Sequence, residues 1–167
     1  MNNPPSNAGP LDEIISGLIG KECWSLIASA GGMLSLKFGT KKPRPQPLRN
    51  PRLREVDRAF DGEFVLFVEC AWRLDGATGV LAVWSDPVPP EDPLPPGVEV
   101  LLGTRVLSAS LRGPARDLEL QFEGDRWFKI FCDQPISEKG EDNYSAFSPM
   151  GTVTVGPRGV VSVSKGT

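Results

Sequence analysis

Asp117-Leu118-Glu119-Leu120-Gln121-Phe122-Glu123-Gly124-Asp125-Arg126-Trp127-Phe128-Lys129-Ile130-Phe131-Cys132 is the stretch that decides how this chain folds. Leu118, Leu120 and Phe122 alternate with Asp117, Glu119 and Gln121, and a period of two sends one set to a core and the other to water. Glu123-Gly124 turns the chain into a second run, where Phe128, Ile130 and Cys132 recur at the same spacing. The reading is a hairpin of two half-buried antiparallel strands.

The pattern occurs twice. Leu34-Ser35-Leu36-Lys37-Phe38 matches Leu118–Phe122, and Phe60-Asp61-Gly62 followed by Leu66, Val68 and Cys70 matches Phe122-Glu123-Gly124 followed by Phe128, Ile130 and Cys132. Upstream, Leu11, Ile15, Leu18 and Ile19 fall without a gap on Leu94, Val98, Leu101 and Leu102, and Gly20 on Gly103. Three matched blocks in one order predict an internal duplication. The expected fold is mainly β: two tandem antiparallel β-meander repeats, each preceded by a short helix or turn, packed as a pseudo-twofold sandwich or partly closed barrel. Half a chain of this kind buries too little to stand alone. Residues 1–10 read as a disordered tail. Residues 11–164 read as a single domain of two repeats, 11–84 and 94–164, joined by a Pro-rich linker, 85–93.

Leu11, Ile14, Ile15, Leu18 and Ile19 have helical spacing, which predicts an amphipathic helix over 11–19. Strands are expected near 21–29, 33–38, 63–74, 80–84, 104–112, 117–122, 126–132 and 152–155. A strand at 160–164 would close a hairpin through Gly156-Pro157-Arg158-Gly159. Phe64, Leu66, Val68, Cys70, Trp72 and Leu74 share one face of the third of these.

Composition sets limits on function. Seventeen prolines and eighteen glycines among 167 residues suit turns and short strands. A net charge of −3 gives no general attraction to nucleic acid or anionic membrane, and no apolar run is long enough to span a bilayer. Nor does the N-terminus carry a secretion signal, so a cytoplasmic location is expected. Histidine is absent. That removes Ser-His-Asp and Cys-His hydrolases and histidine-ligated metal sites. Cys23, Cys70 and Cys132 form no C-x-x-C pair and read as small buried hydrophobes. Glycine-rich nucleotide cradles are missing too. No catalytic residue, metal or cofactor is assigned. The chain reads as a non-enzyme, and a histidine-free enzyme using carboxylates or Cys70 is the remaining catalytic alternative. Glu91-Asp92 and Glu141-Asp142 read as solvated acids in loops.

The two repeats differ at one place. In the second, Phe122 both ends a strand and opens the next turn; in the first, those roles fall to Phe38 and Phe60, 22 positions apart. The intervening excursion carries Lys41, Lys42, Arg44, Arg49, Arg52, Arg54 and Arg58 against Glu55 and Asp57. It stands at +5 and leaves the rest of the chain at −8. Pro43, Pro45, Pro47 and Pro51 argue against a regular helix or central strand there. Two readings stay open: a solvated loop offsetting an acidic body, or a contact loop over 40–58 for an acidic protein surface or phosphates. Residues 39–59 contain no stacking aromatic below Phe60, which favours a protein partner over nucleic acid. A second candidate surface is apolar: Val65, Phe67, Trp127 and Phe131 point outward, and helix 11–19 is expected to cover one of these patches. Trp24, Trp72 and Trp84 read as core or edge residues.

Leu18-Ile19-Gly20-Lys21-Glu22-Cys23-Trp24, Gly31-Gly32, Leu36-Lys37-Phe38-Gly39, Cys70-Ala71-Trp72-Arg73 and the Asp117–Phe122 strand together resemble a group of small bacterial all-β proteins with no assigned activity. The resemblance covers most of residues 14–132 and implies a bacterial cytoplasmic origin. By analogy of type, it suggests an immunity or accessory protein that acts by binding. The leading expectation is therefore an intracellular binding protein with a protein partner. Nucleic-acid or phosphate-ligand binding through the basic loop 40–58 is the alternative.

Overall fold

The computed structural model describes residues 9–165, so residues 1–8 of the tail expected over 1–10 lie outside the described residues. Pro10, expected in that tail, instead opens helix α1 (Pro10–Gly17). Its ring suits the first helical position, and Asp12 and Glu13 complement the positive end of the first turn. Leu11, Ile14, Ile15 and Leu18 are buried, whereas Ile19 lies beyond the helix and is 48 % exposed. The expected 11–19 helix thus stops short of its last apolar residue.

Eleven strands follow: β1 (Glu22–Ala28), β2 (Leu34–Pro43), β3 (Phe60–Val68), β4 (Ala71–Asp75), β5 (Val80–Val83), β6 (Thr104–Arg112), β7 (Asp117–Phe122), β8 (Arg126–Phe131), β9 (Tyr144–Ser148), β10 (Gly151–Val155) and β11 (Val161–Ser164). A short helix α2 (Glu55–Ala59) precedes β3. The strands form one antiparallel array in the order β11-β10-β9-β3-β2-β1-β6-β7-β8-β4-β5. The fold is mainly β, as the alternation required. Among the described residues the array does not close on itself, and β5 and β11 are its edges.

β1-β2-β3 and β6-β7-β8 are both meanders of consecutive antiparallel strands, and they meet at β1 and β6 through Glu22↔Arg105 and Cys23↔Thr104. The next two strands of each half cross over. β4 pairs with β8, and β9 pairs with β3. Exchanging β1 to β5 for β6 to β10 leaves the strand order unchanged apart from the extra β11. Several contacts share that correspondence. The Gly20 N–H donates to the Val106 carbonyl at 2.8 Å, and the Gly103 N–H to the Cys23 carbonyl at 2.8 Å. Register slips occur between Cys23 and Ser25 and between Val106 and Ser108. Phe38 and Phe122, matched in the sequence, stack on one another with ring centroids 6.3 Å apart.

The expected single strand 63–74 is two strands serving two partners. It breaks at Glu69-Cys70, whose N–H groups both donate to the Asn143 carbonyl, at 2.9 and 3.2 Å. Its six inward side chains, Phe64 through Leu74, are all buried, so the alternation survives the break. Tyr144–Ser148 was not expected as a strand, since it lacks a long alternating run; Tyr144, Ser145 and Ala146 are all buried there. Between β5 and β6, residues 84–97 hold turns, and a 3-10 turn over Val98–Leu101 stands where the second helix or turn was expected.

Candidate functional site

The excursion is more regular than its prolines suggested. β2 runs on to Pro43, with Lys41↔Gly62, Lys42↔Asp61 and Pro43↔Phe60 extending the hairpin beyond a bulge after Phe38. Proline is tolerated at such a strand end, where one ladder bond is dispensable. Past Pro51 nothing prevents helix, and α2 forms over Glu55–Ala59 with Glu55 and Asp57 in its first turn. The irregular part shrinks to residues 44–54.

This segment folds back over the outer face of β1 and β2. Arg54 grips Asp57 with two bonds, Nε to Oδ2 at 2.8 Å and Nη2 to Oδ1 at 3.0 Å, and Nη2 also reaches the Trp24 carbonyl at 2.8 Å. Asp57 is only 2 % exposed. Arg44 donates to the Phe60 carbonyl and lies 3.6 Å from Asp61. Lys37 is 3 % exposed, and its Nζ donates to the same Phe60 carbonyl at 3.2 Å. Burial, then the nearby Arg44, lowers its pKa from the ordinary lysine value. Lys37 and Lys41 place their ammonium groups 5.7 and 5.5 Å from the Trp24 ring centroid. Trp24 Nε1, Ser25 Oγ and Arg58 Nε are buried without a hydrogen-bond partner among the described residues.

The seven candidate cations therefore divide. Arg44 and Arg54 hold the excursion down, Arg58 is half-buried, and Lys41 lies over Trp24. Lys42, Arg49 and Arg52 are exposed, with no carboxylate partner among the described residues.

Arg52 stands at the rim of a cavity of about 650 Å³. Its walls are the β1–β2 turn (Ala28–Met33), the excursion at Asn50, Arg52 and Leu53, and the segment after β5, including Trp84, Val88 and Pro95. Trp84 is 43 % exposed, which suits the edge reading of the sequence. Gly32 makes this closure possible. Its φ is +80°, and a Cβ there would come within 2.5 Å of the Trp84 carbonyl oxygen. The Trp72 Nε1–H fixes the same turn by donating to the Gly32 carbonyl at 2.8 Å. A second cavity of about 450 Å³ shares Ala30, Gly31, Met33 and Trp84 with the first and continues past Glu69, Cys70, Asp133 and Glu141. Burial, then Asp142 and Glu141, raises the pKa of Glu69. Glu141-Asp142, read from the sequence as solvated acids in a loop, thus act on a third carboxylate that the fold brings to them.

The apolar candidates are dispersed. Val65 lies opposite Phe147 and shares a depression with Lys42, while Phe67 lies opposite Ser145. Trp127 sits between Gln121 and Asp75, and Phe131 beneath the Arg73 guanidinium at 5.3 Å. All four are half-buried. Helix α1 covers neither patch: Gly17 lies against the inward Phe64 ring, and the helix's apolar residues join the central core. Sequence reasoning missed the groove formed by Met33, Leu53 and Trp84. Its one visible signal was Trp84, three residues before the proline-rich run that opens at Pro87.

No protein-family model, curated protein or solved structure matches this chain.

Proposed function

We propose that this chain is a non-catalytic binding module that recognises an acidic segment of a protein partner along the lip formed by Arg52 and Trp84, with Arg49 exposed on the same loop. The observation that carries the reading is spatial. The excursion and the post-β5 segment both close on the β1–β2 turn and frame a cavity of about 650 Å³. Guanidinium groups without internal partners suit carboxylate recognition, and an exposed tryptophan supplies rigid apolar contact area. A binding protein of the immunity or accessory type works this way, by occupying a partner without turnover.

Charge reversal at Arg49 and Arg52 tests the reading, with Arg54 spared because it anchors the loop. Immobilised wild-type chain should capture a partner from native lysate, with capture weakening as salt rises. The double variant R49E/R52E should lose that partner, while R112E on the far sheet should keep it. Capture by R49E/R52E equal to wild type would remove the lip from consideration.

A second reading has one observation of its own. Trp84 gives Arg52 the neighbouring aromatic that residues 39–59 lack, so a single-stranded nucleic acid could stack there. Binding of labelled oligonucleotides with a steep salt dependence, abolished by Trp84→Ala, would favour it over the protein partner.

A further inference from the structure

Cys70 and Cys132 stand opposite one another across the β4–β8 ladder. The register Trp72↔Ile130 and Ala71↔Phe131, continued by one residue, brings them face to face. Facing residues of antiparallel strands have Cα atoms about 4.5–5.5 Å apart, within the span of about 4.4–6.8 Å that a disulfide bridges. Both thiols are free. Cys70 Sγ donates to the Ala71 carbonyl and Cys132 Sγ to the Arg116 carbonyl, each at 3.7 Å.

Their place in the topology is particular. Cys70 lies where the chain leaves β3 for β4, and Cys132 where it leaves β8 on the way to β9; these are the two crossings between the halves. Asn143 ties the crossings together: its carbonyl accepts the Glu69 and Cys70 N–H groups, and its side-chain oxygen accepts the Gln134 N–H at 3.0 Å. Cys70, 5 % exposed, borders the second cavity beside Glu69 and Asp133, so the attack needs a local opening of that wall. Cys23 lies on β1, away from both crossings, and borders neither cavity. It is fully buried, and burial pushes its thiol up to about 12.

We propose that Cys70 and Cys132 are a reversible disulfide-forming pair that staples the two crossings when the protein meets a low-molecular-weight disulfide such as oxidised glutathione. Cys70 loses its proton and attacks one sulfur of the glutathione disulfide, forming a mixed disulfide and releasing one glutathione thiolate, which takes up that proton. Cys132 then loses its proton and attacks the Cys70 sulfur, displacing the second glutathione as its thiol. The two cysteines are oxidised by two electrons in all, and one glutathione disulfide is reduced to two thiols. The pKa of the Cys132 thiol is raised above the ordinary value, first by the neighbouring Cys70 thiol and then by burial. Because the thiolate is the attacking species, closure of the pair is slow.

The test uses the full wild-type chain, equilibrated natively in oxidised and reduced glutathione mixtures, then alkylated, digested and mapped by mass spectrometry. One intrachain Cys70–Cys132 crosslink is expected, reversible by excess reduced glutathione, with Cys23 alkylated only after unfolding. The oxidised protein should also unfold at higher urea, returning to the original midpoint on reduction. A crosslink involving Cys23, stable glutathione adducts on both cysteines without a crosslink, or no oxidation at a poise that closes a control dithiol would each overturn the proposal. In Cys132→Ser the reaction should halt at the mixed disulfide on Cys70. Should that variant fail to fold, the wild-type map still decides.

Discussion

Single residues on the outer face of β1 and β2 carry opposite electrostatic accounts. Asp57 is buried and depends on Arg54, whose guanidinium is half-exposed. Arg54→Ala strands a carboxylate and should cost roughly 2 kcal/mol in urea unfolding, less than a fully buried pair because water reaches the arginine side. A loss under about 0.5 kcal/mol, the range of ordinary surface substitutions, would show that Arg54 does not anchor the loop. Lys37 is the reverse case, a cation held below its ordinary value of 10.5 by burial first and then by Arg44. Its depressed value means the unfolded chain keeps the proton to higher pH than the folded one. Stability therefore rises with pH between the folded value and 10.5, and the penalty is fully present below that window. Lys37→Met should abolish this alkaline rise in pH-dependent urea titrations. Losing the bond to the Phe60 carbonyl limits the net change at neutral pH to within about 1 kcal/mol of wild type.

At the scale of elements, two turns are held by matching devices. The β1–β2 turn accepts the Trp72 Nε1–H through Gly32, and the β6–β7 turn accepts the Tyr144 hydroxyl through Arg116, both at 2.8 Å. Tyr144→Phe should cost about 1 kcal/mol, a single buried hydrogen bond, without moving the strands; thermal unfolding and an unchanged circular dichroism spectrum would check this. Gly32→Ala is the harsher change. It combines a left-handed φ with a contact of 2.5 Å to the Trp84 carbonyl, so the turn must shift away from Trp84. Expected are a loss of about 1–3 kcal/mol and a changed Trp84 fluorescence, since the cavity wall moves with the turn. Unaltered fluorescence would mean that the glycine does not set the groove.

The whole molecule depends on the exchange of arms between its halves. β4 and β5 have no sheet partner within residues 9–84 except each other, because the inner neighbour of β4 is β8. A fragment of residues 9–84 should therefore be unfolded, or fold only when residues 94–165 are supplied, as read by circular dichroism of each piece and of the mixture. A fragment that folds cooperatively alone would contradict the exchanged arrangement. If both halves descend from one unit, residues 11–84 and 94–155 should also superimpose along β1–β5 and β6–β10, with the excursion as the main outlier.

The alternation of Leu118, Leu120 and Phe122, and its echo at Leu34, Leu36 and Phe38, determined strand type and inward face, because side-chain direction along a strand depends only on local period. Those six side chains are all buried. The charges of the excursion were equally plain from the chain alone. Which partner each strand takes was not, because β4 could satisfy its backbone against any free edge, and only global packing sends it to β8. For the same reason the sequence could not tell Arg54, consumed by Asp57 and the Trp24 carbonyl, from Arg52, left free at a cavity rim. Nor could it bring Cys70 opposite Cys132. Pairings between residues far apart along the chain exist only once the halves have closed on each other.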